Sequence, residues 1–184
     1  SQGSKLNIEA GTFTVQSGGL AVDTLTVGLN GTGALEVQGG DVRIGNGTED
    51  LIVGRRTNAT QAEGDGTLNL SAADSVVIDV NRFLVGTRDG VSIGGGHLAE
   101  TVGDVDLSDG GTNTVTANSI LMADSGTDGN TGATSTLNLG GGANHFSVDS
   151  FVIGGRKSFA SVDIDMGGTL TLAGNANTET NLFL

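Results

Sequence analysis

Five of the eight basic side chains in this 184-residue chain lie just after short apolar stretches, and they are the first group with recognisable binding chemistry. If those stretches are equivalent elements of a repeating fold, the basic residues form a ridge along one edge of an acidic body. Such a ridge would bind an anion or an acidic glycan, or pair with the acidic face of a neighbouring molecule. Local pairing with carboxylates such as Asp89 and Glu63 is the alternative, because exposed ion pairs are common and weak. The five residues are Arg55, Arg56, Arg88, Arg156 and Lys157.

A catalytic set would be sought first around Arg88, Asp89, His97 and Glu100, which share one connection between predicted strands. Polysaccharide lyases and hydrolases built as solenoids place catalytic groups along one face and in long loops. Sugar platforms use Trp and Tyr for stacking, and this chain has neither. The spacing of His97 and His145 suggests neither a metal pair nor a nucleophile relay. The sequence therefore predicts a protein that is not an enzyme.

The segment DSGTDGN at 124–130 has the carboxylate and amide oxygens that Ca²⁺ prefers. It lacks the spacing and the terminal Glu of an EF-hand, and tandem Gly-rich nonapeptides of a calcium-binding roll are absent. Turn formation explains the same residues. We predict no metal site and no cofactor, while Ca²⁺ binding stays open. An ice-binding Thr ladder is not predicted either, because the T-x-T units at 12–14, 24–26 and 169–171 do not stack on one face.

The elements that must position these residues come from an internal repeat of about 30 residues. Between successive copies of an apolar motif lie a T-L-N-L-like stretch and then a third short alternating stretch. Each is three to five residues long and bounded by Gly, Asn, Asp or Ser, which predicts three strands per repeat, named B, C and A in chain order. The first B would be Leu6 to Ile8 and the first C Thr12 to Val15. The apolar motif, strand A, reads TLTVG at 24–28, DLIVG at 50–54, RFLVG at 82–86, SILMA at 119–123, SFVIG at 150–154 and NLFL at 181–184.

The composition favours stacked coils over a sandwich of hairpins. With 33 Gly and no Pro, the chain has many residues for tight corners and none that interrupts a ladder of backbone hydrogen bonds. Only Asn30-Gly31 and Asn46-Gly47 suggest hairpin turns, which keeps an antiparallel sandwich as the alternative. The sequence predicts an all-β, three-faced parallel β-solenoid of about six coils without helices, in a single domain spanning 1–184.

The outward residues of the predicted strands distinguish two faces. On strand B, amides and acids alternate up the stack, from Asn7 and Glu36 to Asp163, which is typical of a solvated polar face. Strand A is apolar outside as well as inside, so that either connections of the same chain cover it or another molecule packs there. The predicted interface comprises Ile52, Leu84, Leu121, Val152 and Phe183, together with Leu182 and Leu184 at the last strand.

Charge and hydropathy restrict the partners. A formal net charge of −13 argues against nucleic acid and anionic membranes, because phosphate binding requires a basic surface. No apolar run approaches the length of a membrane-spanning helix, so we expect no membrane insertion. The hydrophobic fraction of 36% is too high for a disordered acidic chain.

The repeated units, such as GTLNL at 66–70 and DLIVG at 50–54, resemble the Gly-rich β-solenoid repeats of bacterial surface and secreted proteins. Autotransporter passengers and filamentous-haemagglutinin-like adhesins are examples of that group. The resemblance covers nearly the whole chain, and it implies a secreted or cell-surface protein with a structural or adhesive role.

The function expected from the sequence is that of a secreted structural subunit that self-associates head-to-tail, with possible lateral pairing, into a filament or surface layer. Counting from a first strand B to a last strand A gives a whole number of coils. Six coils predict an axial repeat of about 29 Å. The alternative is an adhesin or glycan-binding module that uses the basic edge.

Overall fold

The computed structural model describes residues 3–57, 64–88, 101–125, 132–156, 158–175 and 179–184. Within these ranges the chain forms parallel β-strands and no α-helix, and it contains no helix long and apolar enough to cross a membrane. The strands are β1 (Lys5–Ile8), β2 (Gly11–Val15), β3 (Leu20–Val22), β4 (Thr24–Leu29), β5 (Thr32–Val37), β6 (Asp41–Ile44), β7 (Leu51–Arg56), β8 (Asp65–Asn69), β9 (Ser75–Arg88), β10 (Thr101–Asp106), β11 (Thr112–Asp124), β12 (Ala133–Asn138), β13 (Ala143–Ile153), β14 (Phe159–Asp163), β15 (Thr169–Ala173) and β16 (Asn181–Phe183).

The strands stack in sequence order into three parallel ladders, which confirms the predicted all-β parallel solenoid. Ladder B consists of β2, β5, β8, β10, β12 and β14. Ladder A runs through β1, β4, β7, the second halves of β9, β11 and β13, and β16. Ladder C runs through β3, β6, the first halves of the same long strands, and β15. Ladders C and A therefore belong to one sheet, which faces ladder B.

The corner between ladders C and A lies inside the three long strands. In β11, Ala117 and Ile120 are buried whereas Asn118 and Ser119 between them are not, so two successive side chains point outward. Alternation along a strand would allow only one outward residue there. Asn118 also donates to the side chain of Asn81, its partner in the corner of β9, at 3.0 Å.

The predicted phase of the first coil is wrong. β1 pairs with β4 in ladder A rather than in ladder B, and β2 pairs with β5 in ladder B rather than in ladder C. The first strand of ladder C is β3, a three-residue strand that a single residue, Asp23, separates from β4. Among the described strands, ladder A thus has seven rungs while ladders B and C have six each, so these strands do not make up a whole number of B-C-A coils.

The core is filled by the inward side chains of the three ladders. Period-2 alternation along the predicted strands A and B places Leu25, Leu51, Leu68 and Leu137 inward, and in the structure they have no exposed surface. Burying one such side chain contributes about 1.5–3 kcal/mol. Phe146 and Phe151 stack in the core with ring centroids 6.2 Å apart.

Two asparagines interrupt the apolar core on ladder C. Asn113 and Asn144 occupy adjacent inward positions and are fully buried. The Asn113 amide donates to the Asn144 side-chain oxygen at 2.8 Å and to the carbonyls of Ser108 and Leu139, each at 3.0 Å. Because buried amides are tolerated only when hydrogen-bonded, these contacts fix the B-to-C corner relative to the next coil.

A double ladder of small residues forms the A-to-B corner, and we call it the glycine seam. On ladder A, Gly54 has φ +67°, and Gly28, Gly86, Ala123 and Gly154 adopt the same left-handed conformation at successive rungs. On ladder B, the seam continues through Gly33, Gly66 and Gly103. The two backbones touch there, because a Cβ placed on Gly66 would lie 2.2 Å from the backbone nitrogen of Gly54.

Gly54→Ala is expected to destabilise the chain by more than the about 1–2 kcal/mol that a left-handed non-glycine residue costs, because the new Cβ would also lie 1.9 Å from the Val102 carbonyl oxygen. Gly18→Ala is the matched control, since Gly18 has φ +88° with open space around its Cβ position. Ala123→Gly should leave stability unchanged or raise it by about 1 kcal/mol. Urea unfolding measures all three variants; equal losses for Gly54→Ala and Gly18→Ala would show that the seam is not tightly packed.

Candidate self-association surfaces

The outward residues of ladder A stack in one file, as the sequence predicts. The strand registers align Thr26, Ile52, Leu84, Leu121, Val152 and Phe183. Their exposure is uneven. Leu84 is 3% exposed, Ile52, Leu121 and Val152 are half-buried, and Phe183 is 55% exposed.

The burial of Leu84 corrects part of the predicted interface. This side chain loses its solvent contact within the single chain, so its rung is already covered and is not available to another molecule. At Leu84, residues of the same chain therefore cover the outward side of strand A, which is one of the two alternatives that the sequence left open. The exposed apolar residues of the predicted set lie at and just after the last strand of ladder A, at Leu182, Phe183 and Leu184.

The predicted basic ridge is not a continuous exposed surface. Arg56 and Arg88 are paired on adjacent rungs of ladder A and are buried, with 1% and 6% of their surfaces exposed. Burial, together with the neighbouring Arg56 guanidinium, lowers the pKa of Arg88. Arg55 is half-buried and Arg156 is exposed, while Lys157 lies outside the described residues.

The reason for this burial is the glycine seam. Alternation from the inward residues Leu51 and Val53 predicts that Arg56 points outward. The left-handed residue Gly54 breaks the alternation, and Arg56 after it is buried. Sequence reasoning also passed over Arg82, whose guanidinium pairs with Asp50 on the previous rung with an Nε–Oδ2 distance of 3.0 Å.

Most of the residues that the sequence singled out for catalysis or metal binding lie outside the part of the chain that the structure describes. Asp89, His97 and Glu100 lie outside the described residues, as do Glu63 and residues 126–130 of the candidate calcium segment. His145 is exposed on ladder C, where it pairs in register with Thr114 and Thr171. Across the described ranges, no group of three or more His, Asp and Glu residues is arranged to hold a metal ion.

The outward face of ladder B carries the predicted alternation of acids and amides. Glu36, Asn69, Asp106, Asn138 and Asp163 stack in register, although the first member of the file is Thr14 and not Asn7. Asn138 donates to the Asp106 carboxylate on the adjacent rung, which is the amide-to-acid contact that the alternation favours.

Asp104 lies beside this file on the same face. Partial burial raises the pKa of Asp104, and the charge of Asp106 on the same strand raises it further, while a hydrogen bond from Thr136 opposes the change. The face is therefore a hydrogen-bonded acidic surface, and the carboxyl group of Asp104 on it ionises less readily than that of an exposed aspartate.

The first and last described coils expose core positions that are buried elsewhere. Phe13 occupies the inward position of Leu35, and Leu182 that of Phe151, yet each is about half exposed while its partner is buried. Val162, Leu170, Leu172, Leu20 and Val22 are likewise only partly buried. Six of the seven exposed large hydrophobic residues among the described ones lie between 159 and 184.

Comparisons with protein-family models, with curated proteins and with solved structures find no match to this chain. The geometry of its own residues therefore carries the functional argument.

Leu84→Asp should cost several kcal/mol in unfolding free energy, because the carboxylate would be buried without a partner. Val152→Asp, two rungs along the same file, should cost about 1 kcal/mol, since Val152 remains partly in water. Thermal unfolding followed by circular dichroism compares them. Equal losses would mean that the cover over Leu84 extends along the whole file.

Asp104→Asn should stabilise the chain at neutral pH by a fraction of a kcal/mol, because the neutral asparagine removes the cost of a partly buried negative charge beside Asp106. A carboxyl group whose pKa is raised in the folded state contributes stability below its unfolded pKa and loses that contribution as pH rises through the folded pKa. The gain should therefore vanish near about pH 3, where Asp104 is protonated in both states. Asp109→Asn, at an exposed position after the same strand, controls for the loss of one negative charge. An equal gain in stability from this control would show that the effect comes from net charge and not from the partial burial of Asp104.

Proposed function

We propose that this chain is a structural subunit of an extracellular filament or surface layer, and that its activity is head-to-tail self-association through its end coils. The observation that carries the proposal is the half-exposed core at both end coils, where Phe13 and Leu182 occupy positions that are otherwise buried. An added coil would remove this apolar surface from water and pair the free strand edges.

The two end coils match each other in ladders B and C. If the existing registers continue into a second copy, Val162 of β14 in the first copy lies against Phe13 of β2 in the second copy. Leu170 and Leu172 of β15 in the first copy lie against Leu20 and Val22 of β3 in the second. All of these inward residues are apolar.

The outward residues at such a joint are also compatible. Asp163 would lie beside Thr14, and Thr171 beside Ala21, so that no like charges oppose each other at these positions of ladders B and C. Because the directions of all strands are preserved, the contact is heterologous and builds an open fibre.

The overall charge sets the conditions for assembly. Copies that each carry −13 repel one another, and this repulsion weakens as salt shortens the Debye length. Association that depends on apolar end coils should therefore strengthen with salt. Contacts through a basic edge would weaken instead, and the burial of Arg56 and Arg88 removes two members of that edge.

A glycan-binding adhesin remains the alternative function, and it relies on the same basic edge. Of its five predicted residues, Arg156 is the one that the described part of the chain exposes.

Leu170→Asp in the 184-residue chain should abolish or strongly reduce polymerisation, because it places a carboxylate on the apolar end surface. Thr171→Asp is the matched control, since it adds the same charge one residue away on the outward side of β15. Sedimentation and electron microscopy measure polymer, and circular dichroism verifies that the coils persist. A wild-type chain that stays monomeric at high concentration and high salt would reject the proposal and favour further coils of one longer polypeptide as the natural cover.

A further inference from the structure

Four Asn-x-Ser/Thr sequences, the acceptor pattern for N-linked glycosylation, occur along this chain. Three of them lie among the described residues and begin at Asn30, Asn46 and Asn69, while the fourth, at 58–60, lies outside the described residues. An attached sugar is bulky and hydrophilic, so the acceptor asparagine must lie on the surface with its amide nitrogen accessible. The three described asparagines differ in both respects.

Asn46 lies in the turn that joins β6 to β7 at the corner between ladders C and A. In β9, β11 and β13 the same corner lies inside one continuous strand, so the turn is an addition to the repeating coil. Residues 46–49 are all exposed. The backbone of the turn is nevertheless fixed to the next coil, because the Gly47 nitrogen donates to the Asp79 carbonyl at 2.7 Å and the Glu49 carbonyl accepts from the Asn81 nitrogen at 2.8 Å.

The side-chain contacts of Asn46 leave its amide nitrogen weakly held. Its Oδ1 accepts hydrogen bonds from the Thr48 hydroxyl at 2.6 Å and from the Thr48 backbone nitrogen at 3.3 Å. The Nδ2 atom, on the other side of the carboxamide, donates to the Asp23 carboxylate at 3.5 Å, which is longer than most such bonds. The hydroxyl that the acceptor pattern requires is therefore already in contact with Asn46, and the nitrogen that would carry the sugar is close to free.

Asn30 has the same Asn-Gly-Thr sequence but a different environment. It is half-buried, and its amide makes two hydrogen bonds to Thr57 in the following coil. Its Nδ2 donates to the Thr57 hydroxyl at 2.9 Å, and its Oδ1 accepts from the Thr57 backbone nitrogen at 2.8 Å. Modification of Asn30 would break a contact between two coils.

Asn69 provides an internal comparison with Asn46. Its Oδ1 accepts hydrogen bonds from the Ser71 hydroxyl at 2.8 Å and from the Ser71 backbone nitrogen at 3.1 Å, so the local contacts are the same. Asn69 is half-buried, however, and it stacks between Glu36 and Asp106 in the middle of ladder B. A transferase would have to separate paired strands to bind the residues on either side of it.

We infer that Asn46 is an N-glycosylation site, at which a sugar is transferred from a nucleotide-activated donor. In this step a bond forms between Nδ2 of Asn46 and the anomeric carbon, and the bond from that carbon to the diphosphate breaks. The nucleoside diphosphate leaves with the electron pair, and Nδ2 loses one of its two protons. The site lies on the side of the coil, so this inference goes beyond the proposed self-association and does not depend on it.

Glycosylation of the folded 184-residue chain tests the inference. The chain is incubated with UDP-glucose and a purified N-glycosyltransferase that accepts Asn-x-Ser/Thr, and the modified asparagines are identified by peptide mass spectrometry. Short peptides that span each of the three sequences provide the reference rates. We expect Asn46 to react in the folded chain at nearly the rate of its peptide. Asn30 and Asn69 should react at least about tenfold more slowly than their peptides, equivalent to about 1.4 kcal/mol.

Two results would overturn the inference. One is a folded chain in which Asn46 stays unmodified although its peptide accepts the sugar. The other is a folded chain in which Asn69 reacts as fast, relative to its peptide, as Asn46 does.

Variants separate the effect of exposure from that of the sequence pattern. Asn46→Gln and Thr48→Val should abolish the modification of the turn, whereas Thr48→Ser should retain it. Ser71→Thr gives Asn69 the same hydroxyl-bearing residue that follows Asn46, and Asn69 should still react slowly because it remains half-buried. Rapid modification of Asn69 in this variant, with circular dichroism showing intact coils, would contradict the role given to exposure. Polymerisation is scored separately, since its absence would reject the proposed function without affecting the assignment of Asn46.

Discussion

The close approach of two backbones at the glycine seam is the constraint on which the rest of the coil depends. Gly54 and Gly66 come so near that neither position has room for a Cβ, and the left-handed conformation of Gly54 turns the chain from ladder A towards ladder B. With that corner fixed, the inward residues of the two sheets meet in a thin core that leucine, valine and isoleucine fill. The repeated glycine of the L-x-V-G motif is therefore a geometric requirement, and Ala123 shows that one rung accepts a methyl group in the same conformation.

The residues before and after the seam glycines differ chemically. Before the turn, the inward side chains belong to the apolar core of the three ladders. After the turn, Arg56, Arg88 and Thr101 are buried although they are polar. A left-handed residue reverses the side on which the following side chains emerge, so the residues after each seam glycine escape the alternation that governs the strand before it. The burial of Arg56 and Arg88 is thus a consequence of the corner.

Sequence patterns predicted the parts of this fold that repeat. Alternation identified the inward leucines at 25, 51, 68 and 137, and it aligned the outward acids and amides from Glu36 to Asp163, because stacked parallel strands impose the same register on every coil. It failed where the pattern is short or interrupted. β3 has three residues and one separating residue, so its coil was read with the wrong phase. The burial of Leu84 and Arg56 depends on cover from elsewhere in the chain and on the turn at Gly54, and neither leaves a period in the sequence.

For the proposed self-association, the distribution of exposed apolar surface favours end-to-end over lateral contacts. Along the outward file of ladder A, the middle rung at Leu84 is already covered, which leaves a discontinuous surface of half-buried residues for a lateral partner. At the end coils the uncovered residues are core residues, and the strand edges beside them have backbone groups that a further parallel strand can pair. A partner at the ends therefore satisfies both the hydrophobic and the hydrogen-bonding requirements of the fold, whereas a partner on the face satisfies only the first.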